Sequence, residues 1–277
     1  MYDLAQRVAA DGEGQLTDTT LVVTKMRGGV SGGTLASGMA EMTAARRDPA
    51  RKAILRDPYS LTPDPAAEPD LGDQPDPKGT WFDESLGRWL GPFFMAGINT
   101  RVVRRSNALL GHAYGRRFRY REVMALGSGP EAAAKGAALA GGQLGLGAVM
   151  SNDVTGKAAD AVAQKALPKP GEGPSEQTRR KGHFTMEIYA STTGGAQYVE
   201  TVAAKGDPGY AATCVMLGEA ALCLVKDGDR LPDASGVLTP AAAFGEVLVE
   251  RLRVAGMTFD GGRADPAQES DGPTQES

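Results

Sequence analysis

The sequence predicts an α+β domain, a mixed or antiparallel sheet backed by helices. Three observations predict it. A β-branched run from Leu16 to Met26 reads as a strand. Residues alternate between faces from Arg116 to Met124, and again across a hairpin from His183 to Val202. Apolar stripes at helical spacing lie between these runs, clearest from Leu238 to Ala255.

Each element has a local cause. Leu4 and Val8 form a short helical stripe that ends near Gly12. The strand Leu16 to Met26 runs into Gly28-Gly29-Val30-Ser31-Gly32-Gly33-Thr34, and a helix is predicted from Leu35 to Arg47. Asp57 to Glu84 differs in kind, with six prolines and eight acidic residues against one lysine. Such a stretch buries little apolar surface, which predicts a mobile loop fastened at its far end by Trp81 and Phe82.

Between Arg116 and Met124, Phe118 and Tyr120 face one way and Arg117, Arg119 and Arg121 the other. Ala132 to Ala166 reads as small-residue helix with a break at Gly141 to Gly147, followed by a rigid turn from Pro168 to Pro174. In the hairpin, Phe184, Met186 and Ile188 share a face, Thr193-Gly194-Gly195 makes the turn, and the hairpin could pair across a dimer. Pro208 to Leu224 is a predicted helix with proline in its first turn. The last helix is capped by Thr239, started by Pro240 and ended by Gly256, with Phe244, Val247, Leu248, Leu252 and Ala255 as its stripe. The boundaries that result are a short helix over 1–14, a domain over 15–260 that includes the loop 57–84, and a disordered tail over 261–277.

Composition narrows the function classes. Hydrophobic residues make up 41% of 277, enough for a real core. A net charge of -4 gives no general pull toward nucleic acid. Asp3, Arg7 and Asp11 interrupt the N-terminal segment where a signal peptide needs an apolar run, and Gly136 to Met150 is too short to span a bilayer. Cys214 and Cys223 lie nine residues apart on opposite faces of one predicted helix, read here as two buried thiols in a reducing compartment. No Cys/His spacing suggests a metal site.

Three groups of residues could carry chemistry. Ser31, Gly32, Gly33 and Thr34 follow a strand, where small residues let a ligand approach the backbone, although turn formation and helix capping explain them equally well. Their spacing is not that of a dinucleotide fingerprint. Eight arginines and no acidic residue lie between Arg88 and Arg121. Arg104, Arg105, Arg117 and Arg119 are candidate anion ligands, for cofactor phosphates or a phosphopantetheine arm, against a competing reading as a face paired with the acidic loop. His183 at a strand start, Tyr114, and His112 in a loop are candidate proton donors. Asn99 and Arg101 complete the candidate substrate site.

The blocks GPFFMAGINTRVVRRSNAL (Gly91 to Leu109) and YGRRFRYREVM (Tyr114 to Met124) resemble the region after the nucleotide-binding domain in saccharopine dehydrogenase-like oxidoreductases, the group that contains the actinobacterial trans-acting enoyl reductases. GGVSGGT, KPGEGPSEQTRRKGHF, GDPGYAATCVMLGEAAL and GVLTPAAAFGEVLVERLRVAGMTF extend the likeness from Tyr2 to about Phe259. The resemblance implies a substrate-binding and dimerisation domain that follows a Rossmann domain, with residues 1–14 as the remnant last helix of the latter. It implies NAD(P)H as the cofactor of the full-length family, held by a half expected upstream of Met1 or supplied by a separate chain, and none bound by this chain alone. It implies a lipid or polyketide intermediate whose C=C bond is reduced, a possible homodimer, no nucleic acid, and a cytoplasmic protein peripheral to the inner face of the plasma membrane. It also leaves Leu4 and Val8 at an exposed seam. The alternative is a non-catalytic lipid-binding or scaffold protein of the same descent.

Overall fold

The computed structural model describes residues 1–29, 31–150 and 171–264. A seven-stranded mixed sheet organises them, in the order β2-β3-β4-β1-β5-β6-β7. The strands are β1 (Leu16–Arg27), β2 (Trp81–Asp83), β3 (Arg88–Pro92), β4 (Arg119–Gly127), β5 (His183–Thr192), β6 (Gln197–Lys205) and β7 (Thr258–Arg263). β1 and β4 are parallel and the other neighbours antiparallel. The expected α+β fold is therefore observed, with a mixed sheet.

The helices are α1 (Tyr2–Ala10), α2 (Gly32–Arg47), α3 (Pro49–Arg56), α4 (Ala96–Leu109), α5 (Pro130–Met150), α6 (Glu176–Lys181), α7 (Ala211–Lys226) and α8 (Pro240–Val254). Four of them cover one face of the sheet. Leu4 and Val8 of α1 pack with Tyr120 and Ile188, Ala96 of α4 with Val23, and Ala212 of α7 and Leu252 of α8 with Phe184. Leu4 and Val8 are thus fully buried, and no exposed seam forms at them. Each contributes about 2 kcal/mol by leaving water, so α1 is an integral part of this core.

Several elements differ from expectation for local reasons. α5 runs unbroken through Gly141 to Met150, since glycine weakens a helix without ending it. Residues 151–166, Pro168 to Pro170, Val30 and 265–277, which carried the rest of the predicted helix, part of the rigid turn, one residue of the glycine loop and most of the tail, lie outside the described residues. Gly261 to Arg263, assigned to the tail, belong to β7. β7 occupies the outer edge of β6, so the hairpin has no free edge there for a second copy.

Pro208 precedes α7 in a turn rather than standing in its first turn, and Asp207 caps the entry by accepting from the Tyr210 and Ala211 amides. The two cysteines do lie on opposite faces of α7, yet Cys214 is exposed and only Cys223 is buried. α8 is kinked at Gly245, whose φ of 52° and ψ of -134° leave the helical region. A side chain there would also press on the Tyr2 hydroxyl, 3.0 Å from the Cβ position.

Candidate functional site

The block from Ala96 to Leu109 folds as α4, and its polar residues meet the Pro-rich loop on one side and β4 on the other. Thr100 donates to the Ala96 carbonyl and lies 3.2 Å from Asp76 Oδ1. Arg101, 7% exposed, pairs with Asp76 and reaches the Leu55 carbonyl. Arg104, 2% exposed, donates to the Tyr120 carbonyl at 2.8 Å and to Gln74 Oε1 at 3.4 Å, and lies over the Tyr59 ring. Gln74 in turn donates to the Tyr59 hydroxyl. Arg105 is spent on the carbonyls of Leu61 and Val237. The acidic loop is thus pinned onto α4 by the arginines, in line with the competing reading of Arg104 and Arg105, although Arg104 Nε and Nη1 have no hydrogen-bond partner among the described residues.

β4 supplies the other wall. Its period of two sends Tyr120 and Glu122 toward α4 while Arg119 and Arg121 stay outside. Glu122 is 3% exposed and accepts from Asn99 Nδ2 and from the Tyr120 hydroxyl, both at 2.9 Å. Burial pushes its carboxyl up to about 6, against the pull of those two hydrogen bonds. Burial also lifts the Tyr120 phenol well above its ordinary value and lowers the Arg104 guanidinium.

The edge of β4 is partly open here. β3 pairs with β4 only as far as Pro92 opposite Val123, so among the described residues, residues 119–122 have no strand neighbour on that side, and Arg104 takes the Tyr120 carbonyl in its place. A groove of about 430 Å³ lies alongside, lined by Asp18 to Thr20, Asp73 to Pro75, Pro77 and Arg119 to Arg121.

The remaining predicted residues fall elsewhere. Ser31 caps α2 by accepting from the Thr34 amide, and its hydroxyl meets that of Thr34 at 2.8 Å. The Gly32 amide donates to the Glu172 carbonyl, and Pro174 and Gly209 pack against Gly29. Gly29 and Gly32 of the glycine loop therefore pack and bond against their own chain, and Gly33 sits in the first turn of α2. His183 opens β5 opposite Arg27 and Lys205, close to that loop. Seven residues of β1 separate this end from the nearest groove residue, Thr20, about 23 Å at 3.3 Å per residue. Tyr114 is 1% exposed in the apolar core, with its ring edge-on to Phe118 and its phenol raised by burial, so it packs and does not meet a substrate. His112 is tied to Glu68 at 3.2 Å.

Asn99 and Arg101 thus share α4 but bond different partners, Glu122 and Asp76; Arg117 and Arg119 are exposed, and Ser31 to Thr34 and His183 lie toward the other end of β1. Sequence reasoning missed Glu122, Asp76, Gln74 and Tyr59. Glu122 had a signal: the alternation that sends Phe118 and Tyr120 inward sends it inward too. Among the described residues no group of His, Cys, Asp and Glu gathers to hold a metal, and no helix is long and apolar enough to cross a membrane.

Comparison with known proteins supplies relatives but no fold neighbour. A Mycobacterium tuberculosis protein whose name carries the words trans-acting enoyl reductase is 45% identical over 94% of this chain and 62% of its own length. A trans-acting enoyl reductase of Mycobacterium bovis is 44% identical over 94% of this chain and 63% of its own, and one of Mycobacterium ulcerans 42% over 95% and 64%. The chain therefore spans somewhat under two thirds of these relatives. No family model and no solved structure matches it.

Proposed function

We propose that this chain is the substrate-handling portion of a trans-acting enoyl reductase that reduces a C=C bond in a lipid or polyketide intermediate. The observation that carries the reading is 42–45% identity across nearly the whole chain to proteins of that name. Reduction of an enoyl thioester adds hydride to the β-carbon and a proton to the α-carbon. NAD(P)H supplies the hydride, held by a portion outside this chain, as in a saccharopine dehydrogenase-like architecture; the packing of Gly29 and Gly32 on their own chain supports that assignment. In this reading Asn99 and Glu122 supply the polar end of the substrate site, and Arg101, through Asp76, holds the Pro-rich loop against it. With its pKa about 6, Glu122 is suited to hold and release a proton near neutral pH. Exposed Leu217, Leu224 and Val225 on α7 support a peripheral membrane contact for a lipid substrate.

The test joins this chain to the segment of the Mycobacterium tuberculosis relative that lies outside the matched region. NADPH binding is titrated by fluorescence for the chain and for the joined protein, and enoyl thioester turnover is followed by NADPH oxidation and a two-mass-unit gain in product. Saturable binding and turnover only in the joined protein are expected. Lipid binding with no cofactor dependence in either form would replace the reading with a non-catalytic lipid-binding or scaffold role.

A further inference from the structure

We propose that Arg116, Arg117 and Arg119 form a docking patch for an acidic protein that carries the acyl substrate as a thioester. The inference rests on the reductase reading above and names its partner. It starts from an asymmetry among the eight arginines between Arg88 and Arg121. Five are committed within the chain: Arg88 to Glu187, Arg101 to Asp76, Arg104 to the Tyr120 carbonyl, Arg105 to two carbonyls, and Arg121 to Thr20 beneath the Trp81 ring. Arg116, Arg117 and Arg119 are exposed and make no hydrogen bond or ion pair among the described residues. Three guanidinium groups within four residues are left facing outward.

The segment that presents them is held in place. Asn107 donates to the Gly115 carbonyl and accepts from the Tyr114 amide, each at 2.9 Å, and the Leu16 amide donates to the Tyr114 carbonyl. Gly115, at φ 147°, lies so close to the Leu16 carbonyl that a side chain would not fit. A fixed display of charge lowers the ordering cost of binding. Asp18 and Asp73 are the acidic residues of the adjoining groove, where Arg119 also stands, and neither is bonded to the patch.

The chemistry of the surroundings selects the partner. No large apolar side chain is exposed between Gly111 and Arg121, so the patch lacks the anchors of a membrane-inserting surface. The chain carries a net charge of -4, against the broad basic field that nucleic acid requires. A compact basic patch beside a groove fits an acidic protein surface that delivers a tethered substrate, and such complementarity acts through steering and orientation.

The experiment measures binding of an acidic acyl carrier protein bearing a phosphopantetheine arm, by fluorescence anisotropy at low and high salt. The variant is Arg116→Glu/Arg117→Glu/Arg119→Glu; the control is Arg180→Glu, an exposed arginine of α6. Thermal melts check that both fold. The proposal expects the triple variant to bind at least about tenfold more weakly at low salt, the control to bind like the parent, and salt to weaken the parent. It is overturned if the triple variant binds like the parent, if the parent binds no carrier, or if the reversal weakens binding to anionic phospholipid vesicles and leaves the carrier unaffected. Because the readout is binding, arginine-dependent docking without any turnover would keep this proposal and remove the reductase reading.

Discussion

Two buried glutamates sit in regions built on different principles. Glu122 lies between α4 and β4 with a donor for each carboxylate oxygen, Asn99 and the Tyr120 hydroxyl. Glu200 lies on β6, fully buried, and neither of its oxygens has a hydrogen-bond partner among the described residues. Its surroundings are charges: Arg7 and Arg253, which both bond Asp3, and the N-terminal amine. Burial raises the carboxyl in both cases. The difference teaches that burial alone does not mark a site. A carboxylate held by aimed donors has a set geometry, whereas one balanced by diffuse charge has none to offer a substrate.

The comparison breaks most visibly at Arg101. Arg101→Ala strips Asp76 of its ion-pair partner and loosens the Pro-rich loop on α4, at a cost of about 3 kcal/mol. A urea melt measures it, and faster proteolysis between 57 and 80 should accompany it. No charge change near Glu200 should loosen that loop.

Next comes Glu122 itself. Glu122→Ala leaves the Asn99 amide and the Tyr120 hydroxyl without acceptors and should cost about 2 kcal/mol. The pH dependence sharpens the point. Folding lifts this carboxyl from 4.5 to about 6, so the folded chain holds the proton more tightly than the unfolded one. Its contribution is fully present below pH 4.5 and is lost as the pH rises through 6, by about 2 kcal/mol. Melts of Glu122→Gln across that range should lack this component; an unchanged slope would assign it elsewhere.

Glu200→Gln should cost about 1 kcal/mol at neutral pH, because it takes a counter-charge from the buried N-terminal amine while stranding no aimed donor. An unchanged melt would show that Asp3 alone balances that amine. The smallest effect belongs to Cys214→Ser, an exposed position on α7, with a change within about 0.5 kcal/mol.

Local rules carried much of the fold. The β5–β6 turn at Thr193 to Gly195, the strand before the glycine loop and the exposed arginine face of β4 depend on neighbours in sequence, and all are where periodicity puts them. Tertiary effects were illegible. Gly245 breaks α8 where Tyr2 of α1 approaches, and β7 forms because β6 offers an edge. The site was half legible: Asn99 and Arg101 stood in a distinctive block, but Asp76, Gln74 and Tyr59 come from a stretch whose composition predicts only a mobile loop. Nothing local says which carboxylate an arginine will choose.

The central place of β1 has a consequence in time. Its neighbours are β4 and β5, and Val22 meets Glu187, about 165 residues later in synthesis. At about 5 to 20 residues per second, β1 waits on the order of ten to thirty seconds on the ribosome for β5. Until β4 emerges, about 100 residues after it, Leu21, Val22 and Val23 are an unpaired β-prone run, their second edge stays open until β5, and Asp18, Lys25 and Arg27 are the charges that flank it. Removing those charges would leave a finished protein of nearly unchanged stability that reaches its folded state less often.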